Sequence, residues 1–297
     1  MRNHLAANAT FNRKNIMNSN SPPFYQIAIQ NLPFGNDRTA RALGLLFGRN
    51  IKAVVNQARV TLDLREVIQR RMFLGTYEPT ETAWFRQCLC PGDTFIDVGA
   101  NFGHYTTLGA ALVGAEGRVF AFEPSPLASK VIEDAIADSG IQNIVLKRAA
   151  VGSKNGSVSL FLPTTRHLHS PSILKSDPGF IPIEIPLISL DQFEPLKAIS
   201  SIKLVKIDVE GYEPDVLDGM EQMIKTGKIK NLFCEFNSWW LEQNSTTTKQ
   251  LLERFLDFGY KIHKQTELQQ GLRGHQGALF DLQDIWFQLP EDGDRRT

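Results

Sequence analysis

The stretch DTFIDVGANFGHYTTLGAAL, residues 93–112, constrains the fold of this chain more than any other. It reads as a short apolar strand, a glycine-rich turn and a helix. Strands that are apolar on both sides, each followed by a helical segment, belong to parallel sheets covered on two faces. The same unit recurs downstream. GRVFAFEP, IQNIVLKRAAVG, SIKLVKIDVEG and KNLFCEFN read as strands, and SPLASKVIEDAIADSG, EPDVLDGMEQMIKTG and TTKQLLERFLDFG as helices. YKIHKQ and HQGALFDLQDIWFQL read as two closing strands. The expected architecture is a doubly wound α/β sheet. Right-handed crossovers bring the carboxyl ends of its parallel strands to one edge, where open α/β sheets bind ligands.

Three regions follow from the patterning. Residues 1–22, rich in Asn and Ser, are expected to be a flexible tail. Residues 23–90 form a cap region, in which IKAVVNQARVTLDL is a small hairpin and REVIQRRMFLG a short helix stopped at Gly75. Pro79 sits near the start of a further helix. This region is expected to be too small to need a core of its own. Residues 91–297 hold the repeating strand–helix units. Within them PTTRHLHSPSILKSDPGF, residues 163–180, is polar and aperiodic and is expected to be a loop. Its Arg166, His167 and His169 are candidates for contacts to a substrate's hydroxyls or phosphate.

Composition narrows the partners. Lys+Arg and Asp+Glu are both 32, so no net field favours nucleic acid, and none is expected as a partner. No apolar run reaches the length of a transmembrane helix. The three cysteines, two of them in CLC, suit neither a disulfide framework nor a metal site, and a cytoplasmic setting fits them best.

The turn DVGANFG can be tested against known phosphate and nucleotide cradles. A P-loop needs a Lys after its last glycine, and none follows Gly103. A dinucleotide fingerprint needs a glycine where Asn101 stands, so that backbone can approach the pyrophosphate. Glu123 ends the next strand and can accept both hydroxyls of a ribose. A ribose without a pyrophosphate indicates an adenosyl ligand, and S-adenosylmethionine fits. Gly99 and Gly103 would permit close packing, Asp97 would lie near the amino-acid end, and Glu123 would take the ribose.

With these residues in view, the chain resembles the FkbM-type methyltransferases. The resemblance is carried by GTYEPTE, FIDVGANFGHYT, VFAFEPSP, AAVGSKNGSVSL, ISLDQF, IKLVKIDVEGYEPDVLDGM and LFCEFN, over about residues 75–287. It implies a class I methyltransferase-like (Rossmann-like) sheet of seven strands with the last antiparallel, behind a small N-terminal cap. It implies that residues 91–297 are the S-adenosylmethionine-binding domain. Asp97, Gly99, Asn101 and Gly103 would line the methionine end, Ala150 would flank adenine, and Asp208 to Gly211 would face the transferred methyl. Tyr77 and Glu78 would close the pocket from the cap. It further implies a small-molecule or glycan acceptor, methylated on oxygen, and leaves a homodimer open. Two alternatives stay open: a methyltransferase acting on protein or nucleic acid, and a non-catalytic module that keeps the fold. For the module, Trp239 and Trp240 in SWWLEQN would be a partner surface.

A hydroxyl is a poor nucleophile, so methyl transfer to it calls for a base. The candidates are Asp208, Glu210, Glu235 and His104. Residues two apart on a strand share a side. Asp208 and Glu210 should therefore point together if the strand extends that far, with Asp208 nearer the cofactor and Glu210 facing the hydroxyl. His104, at a helix start, should stay neutral, and a buried hydrogen-bonding role is its alternative. Asp208, Glu210 and Glu235 are oxygen donors, but no metal is expected.

Overall fold

The computed structural model describes residues 22–31, 36–47, 50–163, 172–174, 180–273 and 279–290. The expected tail lies outside them except for its last position, as do Arg166, His167 and His169.

The cap begins with helices α1 (Phe24–Gln30) and α2 (Asn36–Phe47). The hairpin of β1 (Ile51–Val55) and β2 (Ala58–Leu62) follows, then α3 (Val67–Leu74) and α4 (Pro79–Cys88). Asn56 and Gln57 make the two-residue hairpin turn with φ of 48° and 68°, the left-handed pair such turns require. Gly75 ends α3 in the left-handed conformation, and Pro79 opens α4, as the sequence indicates. One expectation needs correction: the cap has an apolar cluster of its own. Ile29, Ala40, Val55, Val60, Leu62 and Phe73 are buried together, with Ala135 from the main domain at the boundary. Polar contacts then dock it. The Asn56 amide donates to the His104 carbonyl at 2.9 Å, and the Arg59 N–H donates to Ser139 Oγ at 2.7 Å.

The main domain alternates as expected. It runs β3 (Thr94–Val98), α5 (His104–Val113), β4 (Arg118–Phe122), α6 (Pro126–Ser139) and β5 (Ile144–Lys147). The chain then leaves the sheet for β6 (Ala150–Val151), β7 (Gly156–Pro163) and β8 (Phe180–Ile188). It returns through α7 (Glu194–Lys197), β9 (Leu204–Ile207), α8 (Glu213–Asp218), α9 (Glu221–Lys225) and β10 (Asn231–Asn237). Helices α10 (Ser238–Gln243) and α11 (Thr248–Asp257) precede β11 (Lys261–Gln265), β12 (Gln269–Arg273) and β13 (Leu279–Gln288).

The main sheet has the order β11-β13-β10-β9-β3-β4-β5. The strands β5, β4, β3, β9 and β10 are parallel, and β13 inserts antiparallel between β10 and β11. The last strand in the chain is therefore the reversed one, as in a class I methyltransferase sheet. An eighth strand, β12, pairs with β13 beside the expected seven. IQNIVLKRAAVG is not one strand. It divides between β5 and β6, and β6 pairs with β8 in a separate three-stranded sheet. Much of the excursion is also strand: β7 and β8 pair from Gly156↔Leu187 to Pro163↔Phe180. The sequence hid this because ordinary alternation there is broken by prolines.

Both faces of the main sheet are covered. Ile96, Val98, Val205, Ile207 and Phe236 pack on one face against α8, α9 and α11. Phe95, Leu204, Phe233 and Trp286 pack on the other against Phe85 of α4 and Tyr105 and Leu108 of α5. This double burial explains the unbroken apolar strands.

Candidate active site

A pocket of about 580 Å3 opens at the carboxyl edge. Its floor is the β3–α5 turn with Gly99, Asn101 and Phe102, together with Glu123 and the start of α6. Ala150, Leu160 and Leu162 close one side from the small sheet, and Asp208 and Glu210 close another. Glu66, Val67 and Ile68 reach it from the cap.

The turn is held against the end of β9. At Gly99 φ is +77°, and a Cβ would stand 1.9 Å from the Asp208 carbonyl oxygen, so only glycine fits. Asn101 is also left-handed, with φ of 49°. This aims its N–H at Glu123 Oε2, 2.7 Å away, while the Ser125 N–H donates to Oε1 at 2.8 Å. The Glu123 carboxylate is thus fixed at the pocket wall with one partner on each oxygen and lone pairs to spare. Burial pushes it up to about 7, although these two N–H donors pull the other way.

Behind the turn lies a buried charge network. Lys206 is 3% exposed. Its ammonium donates to Gly99 O at 3.2 Å and Asp208 Oδ2 at 3.1 Å, and stands 3.7 Å from Asp97 Oδ1. It also lies 5.5 Å from the centre of the Tyr105 ring. Burial alone would lower this ammonium, but Asp208, Asp97 and Glu78 outweigh burial and hold it above the ordinary lysine range. Asp97 is fully buried and accepts from the Thr106 hydroxyl at 2.6 Å. Burial raises its carboxyl, against the pull of Lys206.

The end of β9 departs from expectation. The strand stops at Ile207. Glu210 has φ of 53° and Gly211 of 92°, so Asp208 and Glu210 do not share a side through strand alternation. Backbone that would have continued the ladder bonds locally instead: Val209 N–H and Gly211 N–H each donate to Glu213 Oε1 at 3.2 Å. Gly211 itself is required, because a Cβ there would stand 2.4 Å from the Trp240 carbonyl oxygen. Asp208 and Glu210 nonetheless both line the pocket.

Among the other expected residues, Gly99, Asn101, Glu123 and Ala150 line the pocket as well. Asp97, Gly103, Tyr77, Glu78, His104 and Glu235 do not. Asp97 lies beneath the turn, beside the Lys206 ammonium. Gly103 faces α6, where a Cβ would stand 2.8 Å from Ile132 Cγ1. Glu78 accepts from the Tyr105 hydroxyl at 2.6 Å. His104 packs edge-on to the Tyr77 and Tyr105 rings, each 5.0 Å away. Its Nε2 is 3.0 Å from the Thr82 hydroxyl, and its Nδ1 is buried with no partner. Burial, with the charges of Arg86 and Lys206, pushes this imidazole down to about 4. It is neutral, as expected, but chiefly through burial. Glu235 lies on β10 opposite Asp284 of β13.

Lys206 and Asp284 are the residues that sequence reasoning missed. Lys206 had a signal, a cation inside the apolar strand LVKI. Asp284 had none, since its position depends on a strand that returns antiparallel from the chain's end. Among the described residues, no three His, Cys, Asp or Glu side chains converge to hold a metal ion. No helix among them is long and apolar enough to cross a membrane.

The sheet order and the pocket at its carboxyl edge define a class I methyltransferase fold. The chain belongs to the methyltransferase FkbM domain family, whose model matches residues 97–262. It is 27% identical over 135 residues to a hexuronic acid methyltransferase, AglP, of Haloferax volcanii, covering 45% of this chain and 52% of that protein. The chain thus spans about half the length of this curated relative. Among solved structures, it is similar to methyltransferase FkbM from Methylobacillus flagellatus. That pair has 14% identity and a TM-score of 0.41, with 73% of this chain and 52% of that one covered. A precorrin-6y C5,15-methyltransferase from Geobacter metallireducens has 13% identity and a TM-score of 0.42, with 72% and 90% covered.

Proposed function

We propose that this protein transfers the methyl group of S-adenosylmethionine to a hydroxyl group of a sugar or similar small molecule. The observation that carries this reading is Glu123: a carboxylate at the end of the strand beside the glycine turn, locked by two backbone N–H groups in the pocket wall. Its remaining lone pairs suit the two hydroxyls of a ribose. The pocket suits the rest of the ligand. Ala150, Leu160 and Leu162 supply an apolar wall for a purine, and Gly99 and Asn101 bring backbone to the amino-acid end. When bound, S-adenosylmethionine supplies an electrophilic methyl on a positively charged sulfur.

The protein's own work is to orient and to take a proton. Asp208, tied to Lys206, sets a fixed negative charge beside the turn. Glu210, at the pocket wall, accepts the proton of the incoming hydroxyl. Closure by the cap segment Glu66 to Ile68 excludes water, and much of the rate then comes from alignment. The hexuronic acid methyltransferase relative supports an acceptor of the sugar class.

Calorimetry with S-adenosylhomocysteine tests the reading. Wild type should bind it, and Glu123→Ala should weaken binding by about 100-fold, as the loss of two charge-assisted hydrogen bonds implies. Equal binding by the two proteins, or a preference for NAD, would overturn it.

A further inference from the structure

Glu78 holds a backbone conformation that its residue type does not favour. Its φ is 41°, in the left-handed region, where glycine and asparagine are at home and glutamate is uncommon. A local reason would be to cap α4, since Glu78 stands at the N-cap position of that helix. Its side chain makes no such bond. The carboxylate turns into the protein instead and accepts from the Tyr105 hydroxyl at 2.6 Å. Backbone strain of this kind persists only where the surrounding structure holds it, and it gathers at functional sites. Asn101 and Glu210, which are left-handed and line the pocket, follow the same rule. Glu78 is left-handed too, yet it lies outside the pocket lining.

What the carboxylate reaches explains the position. Tyr105 is buried in the first turn of α5. Its ring centre lies 4.3 Å from that of Phe85 in α4 and 5.5 Å from the Lys206 ammonium. A phenol that donates to a carboxylate carries more electron density in its ring and is a better seat for a cation. The charge of Glu78 also acts on Lys206 directly, with those of Asp208 and Asp97. In return, burial raises the Glu78 carboxyl, while the Tyr105 hydroxyl and the Lys206 charge pull it back. From Lys206 the contacts continue to the Gly99 carbonyl at 3.2 Å and to Asp208 Oδ2 at 3.1 Å. These are the two sides between which the glycine turn is held. A cap residue that does not line the pocket is thus joined to the pocket floor by a continuous chain of contacts.

We infer that Glu78 is a positioning residue for the cofactor: through Tyr105 and Lys206 it holds the Gly99 turn and Asp208 in place, so that cofactor binding depends on the seating of the cap. This rests on the methyl-transfer reading above and adds a route from the cap to the amino-acid end of the pocket. The left-handed backbone at Glu78 is the cost of aiming the carboxylate along that route.

A double-mutant cycle on the full-length protein tests it, with S-adenosylhomocysteine affinity read by calorimetry well below each variant's melting temperature. Glu78→Gly accepts the left-handed backbone without strain but removes the carboxylate, and Tyr105→Phe keeps the ring but removes the hydroxyl. Each should weaken binding about tenfold, and the double variant should match either single variant within about twofold, because both changes break one chain. A merely structural role would lower melting temperatures and leave the affinity of the folded protein alone. Wild-type affinity in either single variant overturns the inference, as does an additive loss of about 100-fold in the double variant. Should Glu78→Gly not fold, Glu78→Gln carries the test, since it keeps the size and an acceptor oxygen but loses the charge. It should weaken binding several-fold, and wild-type affinity there overturns the inference too. Failure of the wild type to bind S-adenosylhomocysteine would instead remove the methyl-donor reading. The same cycle on urea midpoints then judges the chain of contacts, which additive midpoints would refute.

Discussion

Lys206 donates to Asp208 Oδ2 at 3.1 Å from a position almost sealed from water. Because the same ammonium reaches the Gly99 carbonyl, this one ion pair fastens the glycine turn of β3 to the end of β9. The turn and the pocket carboxylate cannot move independently.

Replacing Lys206 by Met should therefore be costly. It leaves Asp97 buried without its cation, and breaking a buried pair from one side costs about 3–5 kcal/mol. Urea unfolding should show a loss of that size. A loss below about 1 kcal/mol would mean the network is not structural.

Gly99→Ala should damage the pocket directly. The new Cβ meets the Asp208 carbonyl at 1.9 Å, and φ of +77° is itself unfavourable for alanine. Destabilisation above about 2 kcal/mol, with loss of S-adenosylhomocysteine binding, is expected. Stability and affinity equal to wild type would contradict the close approach.

Glu210→Gln keeps the size of the side chain and removes the base. With an acceptor in hand, turnover should fall about 10²–10⁴-fold, while melting temperature and S-adenosylhomocysteine affinity stay near wild type. Turnover within a few-fold of wild type would transfer the proton-accepting role to the Glu235–Asp284 pair.

Stability should fall as pH rises from 6.5 to 8. Glu123 and Glu213 are raised from 4.5 to about 7, and Asp284 from 3.8 to about 8, each first by burial. Over that range the folded protein holds protons that the unfolded chain has already lost, so unfolding becomes easier with rising pH. His104, lowered to about 4, is neutral in the fold and acts in the opposite sense, but only as pH drops below about 6.5, where the unfolded chain takes up its proton. Denaturant titrations across this range would show the trend, and Glu213→Gln should flatten it. A stability that rises over the same interval would refute the assignment.

Much of the parallel core was legible in the chain. Apolar runs such as TFIDV and LVKI announce strands buried on both faces, because a sheet covered by helices has no polar side. Pro79 and Gly75 marked helix ends through their own backbone limits. The small sheet was not legible. Prolines interrupt β8, and the pairing of β6 with β8 joins segments far apart in sequence. The extent of β9 was also beyond reach, since Glu213, three residues past Glu210, captures the N–H groups that would have extended it.

The sequence alone determined the class of sheet, the glycine turn and the carboxylate at Glu123, because each is a local requirement of backbone conformation or of strand burial. Tertiary structure alone decided which charges meet. Lys206 is two residues from Asp208 along the chain but distant from Asp97 and Gly99, and Glu235 comes from a different strand than Asp284. Strand order brings these groups together, and strand order is set by how helices cover the sheet. Electrostatic energy depends on distance and burial, so the balance of charge at the edge of this sheet became readable only once the chain had folded.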